Sequence, residues 1–397
     1  MKFVTADLPG IGGSYKETPT DFEVEEIPLY PCCGSGEHLY LWIEKSGIST
    51  SELISRLARG LQLKENDIGY AGLKDSRALT RQWLSIPAAK QSQLEHLHLN
   101  NARILDTQRH TNKLRLGHLA GNRFSICLRQ LTAGVASQGE AILDKLHRGG
   151  VPNRFGEQRY GILGNSAILG HLLLTGDYQE FCRELIGNPQ KISHPGWKKA
   201  ALAYRQQKLE QALKALPGAM RLEQRLIRDL LQGKNHEQAV YRLPKQRLRF
   251  FLSALQSRYF DQLLETRITA LGELKDGDLA YKHVNGACFL VEAAEQEQAR
   301  ADSFEISPTA PLFGHKVMLA KGDPGTAETE LLNRSNLALD SWKPAPGLAM
   351  PGERRPLRVP LELPKIASAT ADSLTVEFAL PKGSYATSVL AELMKSP

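Results

Sequence analysis

Gly69-Tyr70-Ala71-Gly72-Leu73-Lys74-Asp75-Ser76-Arg77-Ala78-Leu79-Thr80 sets one carboxylate between two cations on a short segment that opens with glycines. A nucleophilic aspartate needs that setting, because nearby positive charge keeps the carboxyl ionised while a tight turn keeps it accessible. Lys-Asp-x-Arg also describes an ordinary solvated turn closed by an ion pair, and the run alone does not choose between the two. Its surroundings narrow the choice. Upstream, Ser49 or Thr50 caps a predicted helix with Leu53, Ile54, Leu57 and Leu61 on one face, which ends before Asp75. Asp75 is therefore expected in a loop or hairpin.

Further out, His38 to Glu44 and Arg123 to Arg129 alternate apolar and polar residues, as half-buried strands do. In the second, Phe124, Ile126 and Leu128 share one face. After Gly149-Gly150 the pattern becomes helical, through Leu163 to Leu174, Phe181 to Ile186, Lys198 to Leu216, Leu222 to Leu231, and a helix from Pro244 to about Ile268. That last helix carries Arg247, Arg249, Arg258 and Arg267, either a solvated face or an RNA contact. Strand signals return from about Gly272. Leu357, Val359, Leu361 and Leu363 alternate, Leu374 to Leu380 reads as a strand, and a turn at Pro381-Lys382-Gly383 precedes a helix from about Thr387 to Lys395. This order suits three serial domains or one sheet domain interrupted by an insertion.

The 397 residues suffice for two or three domains, and 42% apolar with 23% charged residues describes a globular chain. Stretches such as Ile168 to Leu174 fall far short of the ~20 apolar residues of a membrane span. The N-terminus lacks an apolar signal core, so a cytoplasmic location is expected. Five cysteines without a Cys-x-x-Cys pair suggest reduced thiols, the adjacent Cys32 and Cys33 included. Gly10-Ile11-Gly12-Gly13 fails the dinucleotide fingerprint at Tyr15, there is no Walker A run, and His236-Glu237 lacks the second histidine of a zinc-protease helix. No metal, nucleotide or other cofactor is expected, so catalysis would fall to side chains. Net charge is +7, and from Thr107 to Gly139 there is no acid while Arg109, Lys113, Arg115, Arg123 and Arg129 all occur. Such a stripe can follow a phosphate backbone without local repulsion, though charge runs are often only solvated faces. Lys113, Arg115 and Arg123 of this stripe, with Lys74 and Arg77 beside Asp75, are the candidate RNA contacts.

Several separated stretches together resemble the TruD family of tRNA pseudouridine synthases over essentially the whole chain. They are Pro19-Thr20-Asp21-Phe22-Glu23-Val24-Glu25-Glu26, the Gly69 to Asp75 run with Thr80-Arg81-Gln82-Trp83, and Lys113-Leu114-Arg115-Leu116-Gly117-His118-Leu119-Ala120-Gly121-Asn122-Arg123-Phe124. Val151 to Gly161, Phe251 to Ser257 and Phe378 to Thr387 continue the series. The resemblance implies an α+β pseudouridine-synthase domain with a mixed, mainly antiparallel sheet, built from residues 1–149 and 353–397. A largely helical α/β TRUD domain, residues 150–352, would interrupt it. It further implies isomerisation of uridine to pseudouridine, at position 13 in the D arm of tRNA, without metal or cofactor, by a monomer. Asp75 would be the nucleophile and Lys16 the basic residue beside it. Phe22, Asn122 and Phe378 would line the uridine pocket, with Phe124 on its RNA-facing side. Read unaided, the three phenylalanines are core residues and Asn122 a turn residue. Ser76 stands where relatives often carry lysine and Arg154 where they commonly carry an aromatic residue, departures that bear on RNA contacts. Asn188 to Arg242 matches nothing placed.

The reaction breaks the bond from N1 to C1′ and joins C5 to C1′, so it needs a carboxylate to attack C1′, add to the uracil or take a proton at C2′. Asp75 could serve each role. A buried uridine must first be turned out of the RNA at a cost of a few kcal/mol. Stacking on an aromatic ring returns about 1–3 kcal/mol. Two other readings remain: a non-catalytic RNA-binding or RNA-folding protein, which has no use for an exposed aspartate, and an RNA N-glycosidase, which would release uracil.

Overall fold

The computed structural model describes residues 1–395, save the side chains of Glu157 and Gln158. The chain forms two compact units, one of Met1–Val151 with Val359 onward and one of Pro152–Arg358. The first is built on an eight-stranded sheet. Its strands are β1 (Phe22–Pro28), β2 (His38–Lys45), β3 (Gly69–Tyr70), β4 (Leu79–Pro87), β5 (Ala102–His110), β6 (Leu119–Arg129) and the two C-terminal strands Glu362–Ala369 and Ser373–Pro381. They run in the order Glu362–Ala369, Ser373–Pro381, β6, β1, β4, β2, β5, with β3 on β4. Only β1 and β4 run parallel, so the sheet is mixed and mainly antiparallel. The fold is α+β.

The register explains which side chains are buried. Val24 faces Phe124, and Phe124 faces Phe378, so alternate residues of β1, β6 and Ser373–Pro381 share one face of the sheet. On that face Phe124, Ile126, Leu128, Val376 and Phe378 pack under helix α2 (Ala136–Gly149) and the C-terminal helix Ala386–Met394. Leu39, Leu41, Ile43, Leu84 and Ile86 pack under helix α1 (Thr50–Gly60), which Ser49 caps by accepting the Glu52 N–H. The two apolar clusters are separate. Between them the same face carries Lys45, Thr80, Gln82, Glu26 and Asn122, a polar seam across an otherwise apolar surface.

In the second unit, helices from Ser166–Thr175 through Lys245–Thr266 precede a four-stranded sheet in the order Glu353–Pro356, Ile306–Leu312, Leu279–Lys282, Cys288–Leu290. Glu353–Pro356 pairs with Ile306–Leu312, which draws these residues into this unit, a few positions past the expected limit at 352. The helix expected over Lys198 to Leu216 is two, Pro195–Arg205 and Leu209–Ala215, because Gln207 adopts φ 61° and Lys208 N–H returns to the Ala203 carbonyl. The alternation Leu357, Val359, Leu361 stays buried but breaks at Leu363, which is 73% exposed at φ 50°. Among the described residues no helix is long and apolar enough to cross a membrane.

Candidate active site

Asp75 lies in the connection of the β3–β4 hairpin, over the polar seam. The seam holds that connection by its backbone. Thr50 Oγ1 on α1 accepts the Lys74 N–H at 2.9 Å and donates to Gln82 Oε1 at 2.9 Å, and Gln82 Nε2 donates to the Gly72 carbonyl at 3.3 Å. Lys45, 1% exposed, donates to the carbonyls of Ile48 (2.8 Å) and Asp75 (3.0 Å). Burial drives the Lys45 ammonium down to about 8, opposed by the Asp75 carboxylate and assisted by Lys74.

The Asp75 carboxylate faces away from this scaffold. Its Oδ2 accepts from Lys16 Nζ at 2.6 Å and its Oδ1 from the Arg77 backbone N–H at 3.0 Å. Burial raises its pKa, but the Lys16 hydrogen bond, the Arg77 N–H and the ammoniums of Lys16 and Lys45 outweigh it and hold the carboxyl below its usual 3.8. It is ionised at neutral pH and 28% exposed, a supported and accessible carboxylate.

Lys16 adopts φ 64°, a conformation uncommon for a residue other than glycine. Its flanks impose it. Ser14 exchanges backbone hydrogen bonds with Arg129 at the edge of β6, and two residues on, Thr18 N–H donates to Asp21, whose carboxylate takes Nε (3.0 Å) and Nη2 (2.7 Å) of the same Arg129. Between these anchors the Lys16 ammonium lies 4.1 Å from the centre of the Phe22 ring, a cation–π contact.

The expected pocket residues converge. Phe22 meets Phe124 edge-on at 6.2 Å, and Phe124 meets Phe378 at 5.4 Å. All three are buried, and Phe378, 1% exposed, backs Phe124 from within the core. Asn122 is half-buried on β6 opposite Glu26. Its Oδ1 accepts from Lys74 Nζ at 2.8 Å, which fixes the amide's sense because an ammonium can only donate. Asn122 Nδ2 is thereby turned from Lys74.

The expected RNA contacts divide. Lys74 is corrected: it is buried, bound to Glu26 Oε2 at 2.9 Å as well as to Asn122, and cannot reach a phosphate. Arg77 and Arg115 are exposed. Lys113 donates to the Asn66 carbonyl, and Arg123 pairs with Glu25 at 3.1 Å on the opposite face of the sheet from Phe124. Arg129 pairs with Asp21, so β1 and the short turn Pro19–Asp21 before it supply acids to a stripe that has none of its own. In the second unit Arg154 is buried against Glu265, Arg267 binds Asp278, and Arg249 donates to the carbonyls of Gly347 and Ala349.

Glu26 and Lys45 were not singled out from sequence, although each carries a signal. Phe22, Val24 and Glu26 share the buried phase of β1, as Leu39, Leu41, Ile43 and Lys45 share that of β2. A charge on a core phase is costly unless its polar atoms are satisfied; Glu26 is paired with Lys74, and Lys45 is bound to two backbone carbonyls. Glu26 Oε1 accepts the Trp83 N–H at 3.3 Å while Oε2 takes Lys74; burial nonetheless raises its pKa above 4.5.

Comparisons with known proteins identify the family. The family model described as tRNA pseudouridine synthase D (TruD) matches residues 1–393. A tRNA pseudouridine synthase D of Syntrophotalea carbinolica is 52% identical over 99% of both chains. One from Thermus thermophilus is 38% identical over 99% of this chain and 92% of its own. A crystal structure from Methanosarcina mazei, assigned as tRNA pseudouridine synthase D, superposes with a TM-score of 0.84 at 27% identity, covering 100% of this chain and 96% of that one. The chain belongs to the TruD family of tRNA pseudouridine synthases.

Proposed function

We propose that this protein isomerises uridine to pseudouridine in tRNA, at position 13 of the D arm, in the cytoplasm, with Asp75 as the nucleophile. The observation that carries the reading is the Asp75 carboxylate itself, ionised, partly exposed, and held between the Lys16 ammonium and the Arg77 N–H while its own backbone is tied down by Lys45. Such preorganisation leaves little reorientation before attack. Lys16 keeps the nucleophile charged. Phe22 and Phe124, 5% and 6% exposed, form the apolar floor behind the extruded base, Phe378 supports them, and Asn122 Nδ2 donates to a uracil carbonyl. Cytosine presents an amino group where uracil has O4, and a fixed N–H donor there disfavours it. The N1–C1′ bond breaks, the uracil turns over in the pocket, C5 bonds to C1′, and the C5 proton is lost as N1 takes one up, so no oxidant or reductant enters.

The test is a single-turnover assay on unmodified tRNA with pseudouridine mapped by position. Asp75→Asn and Asp75→Ala are expected to abolish product while tRNA binding stays within a few-fold. Near-normal product from either ends the assignment. Free uracil in the supernatant would instead favour the N-glycosidase.

A further inference from the structure

On the side of Glu26 away from Asn122 the first unit contains a cavity of about 210 Å³ that the proposed chemistry leaves unused. Its floor is Tyr40, Leu114 and Glu26, all at least nine-tenths buried; Trp83, Tyr30 and His118 form walls; and exposed Pro28, Pro31 and Gln108 lie at its mouth. Drug-sized ligands occupy about 300–1,000 Å³, so this space suits a single ring system.

The walls offer what a nucleobase requires. Tyr30 stacks on His110 at 5.1 Å and 19°, Tyr40 meets Trp83 at 6.2 Å, and Trp83 leans on Trp42 at 5.1 Å, so the ring planes are braced from behind. Polar groups gather at the same place. Tyr30 Oη lies 2.8 Å from His118 Nδ1, and Tyr40 donates to the Asn112 carbonyl at 3.0 Å, its hydroxyl kept protonated by burial. Aromatic faces with donors and acceptors at their edges are the recurrent means of holding an unstacked base. Leu114 and His118 belong to the acid-free stripe, and Arg115 between them is exposed, beside a His118 N–H that closes a turn onto the Arg115 carbonyl. A base entering the cavity thus brings its phosphate toward a basic turn. Glu26 joins the two sites, since one carboxylate oxygen takes the Trp83 N–H of the cavity wall and the other takes Lys74, which holds Asn122.

We propose that this cavity is a second nucleobase site, which takes one unstacked base of the RNA substrate other than the uridine that reacts. The proposal rests on the chain acting on RNA. It gives the enzyme a way to read a neighbouring nucleotide while the target uridine occupies the Asp75 site.

The experiment is an abasic scan. Single abasic substitutions are placed along the D arm of an unmodified tRNA, and Kd is measured for the native protein, Tyr30→Ala and His118→Ala, with folding checked by circular dichroism. One abasic position outside the target uridine is expected to weaken native binding by about 5- to 100-fold, the range of one base stacked on an aromatic ring. In Tyr30→Ala the intact tRNA should bind more weakly, and that same abasic change should cost less than about 2-fold more. Abasic penalties that are unaltered by both variants, or the absence of any such position in the native protein, overturn the proposal. Tyr30→Phe, which keeps the ring, should retain the penalty and serves if Tyr30→Ala fails to fold. Because Kd does not require turnover, a native protein that binds with this coupling yet forms no pseudouridine refutes the isomerase reading and leaves the second site standing.

Discussion

Lys74→Met removes the cation that joins Glu26 to Asn122, and the cost follows from how deeply the pair is set. The side chains of Lys74 and Glu26 are 5% and 1% exposed, with Nζ 2.9 Å from Oε2. Deleting one member of a buried pair leaves the other charge uncompensated, at about 3–5 kcal/mol. The bond to Asn122 Oδ1 is lost in the same act, so its worth belongs within that figure. At 1.36 kcal/mol per tenfold, amide hydrogen-exchange protection in β1, β4 and β6 should fall by roughly 10²- to 10⁴-fold, while peptides of residues 152–358 serve as an internal control. The deficit should also depend on pH. Glu26 already titrates above 4.5 because burial outweighs Lys74, and without Lys74 it titrates higher still. An acid whose folded pKa is raised binds more protons folded than unfolded, so stability falls as pH rises through the window between those values. Acidification toward pH 5 should therefore narrow the gap between variant and native protein, and Glu26→Gln added to Lys74→Met should recover much of it. Unchanged protection, or a deficit indifferent to both pH and the second substitution, would refute the account of the seam.

Three further outcomes are expected. The Asp75 carboxyl, held below 3.8 chiefly by the Lys16 hydrogen bond against the opposing effect of burial, should titrate below that value by carboxyl carbon NMR, and Lys16→Met should move the titration upward; an unmoved titration contradicts the assigned role of Lys16. Lys45, at about 8 in the fold against 10.5 outside it, binds fewer protons folded than unfolded across that window. Stability from this group therefore rises with pH between about 8 and 10.5, and urea midpoints of Lys45→Met should lack the rise, so identical pH slopes in both proteins count against it. Affinity for tRNA should fall as salt rises, because phosphate contacts release counterions; the slope should be shallower than the stripe's cation count implies, since Arg123 and Arg129 are engaged by Glu25 and Asp21.

Periodicity located most elements of the first unit because its strands are half-buried, and a half-buried strand writes its register into alternate residues. Phe124, Ile126 and Leu128 needed only the sequence to be placed on one face. Pairing is another matter. That β6 sits between β1 and Ser373–Pro381 depends on contacts between segments about ninety or more residues apart, which no local pattern encodes. Local rules also failed at Gln207 and Leu363, where a left-handed backbone ends an apolar repeat that would otherwise continue. In the candidate site, the flanking cations drew attention to Asp75 without deciding its role, and Lys16, Phe22 and Asn122 were expected from family resemblance. Lys74 misled because its neighbours in sequence suggest solvent, whereas its partners, Glu26 and Asn122, come from β1 and β6. The acid-free stripe misled for the same reason, its counter-charges Glu25 and Asp21 lying on β1 and in the turn before it.

The position of the aspartate follows from the division of the sheet's covered face. Were α1, α2 and the C-terminal helix to share one continuous apolar cluster, a loop laid over it would leave its own carbonyls and N–H groups without partners, a cost of about 1–3 kcal/mol for each. The seam removes that cost. Thr50, Gln82 and Lys45 satisfy the backbone of Gly72 to Asp75 from below, and Glu26 and Asn122 take the Lys74 ammonium, so each charge in the seam is matched or bound to carbonyls. The loop can then approach the sheet closely and still point a carboxylate outward, where only Lys16 and one backbone N–H hold it. Rigidity below and exposure above are thus supplied by different residues, and substitutions of Thr50, Gln82 or Lys45 should loosen the Asp75 loop while leaving Lys16 and the Arg77 N–H in place.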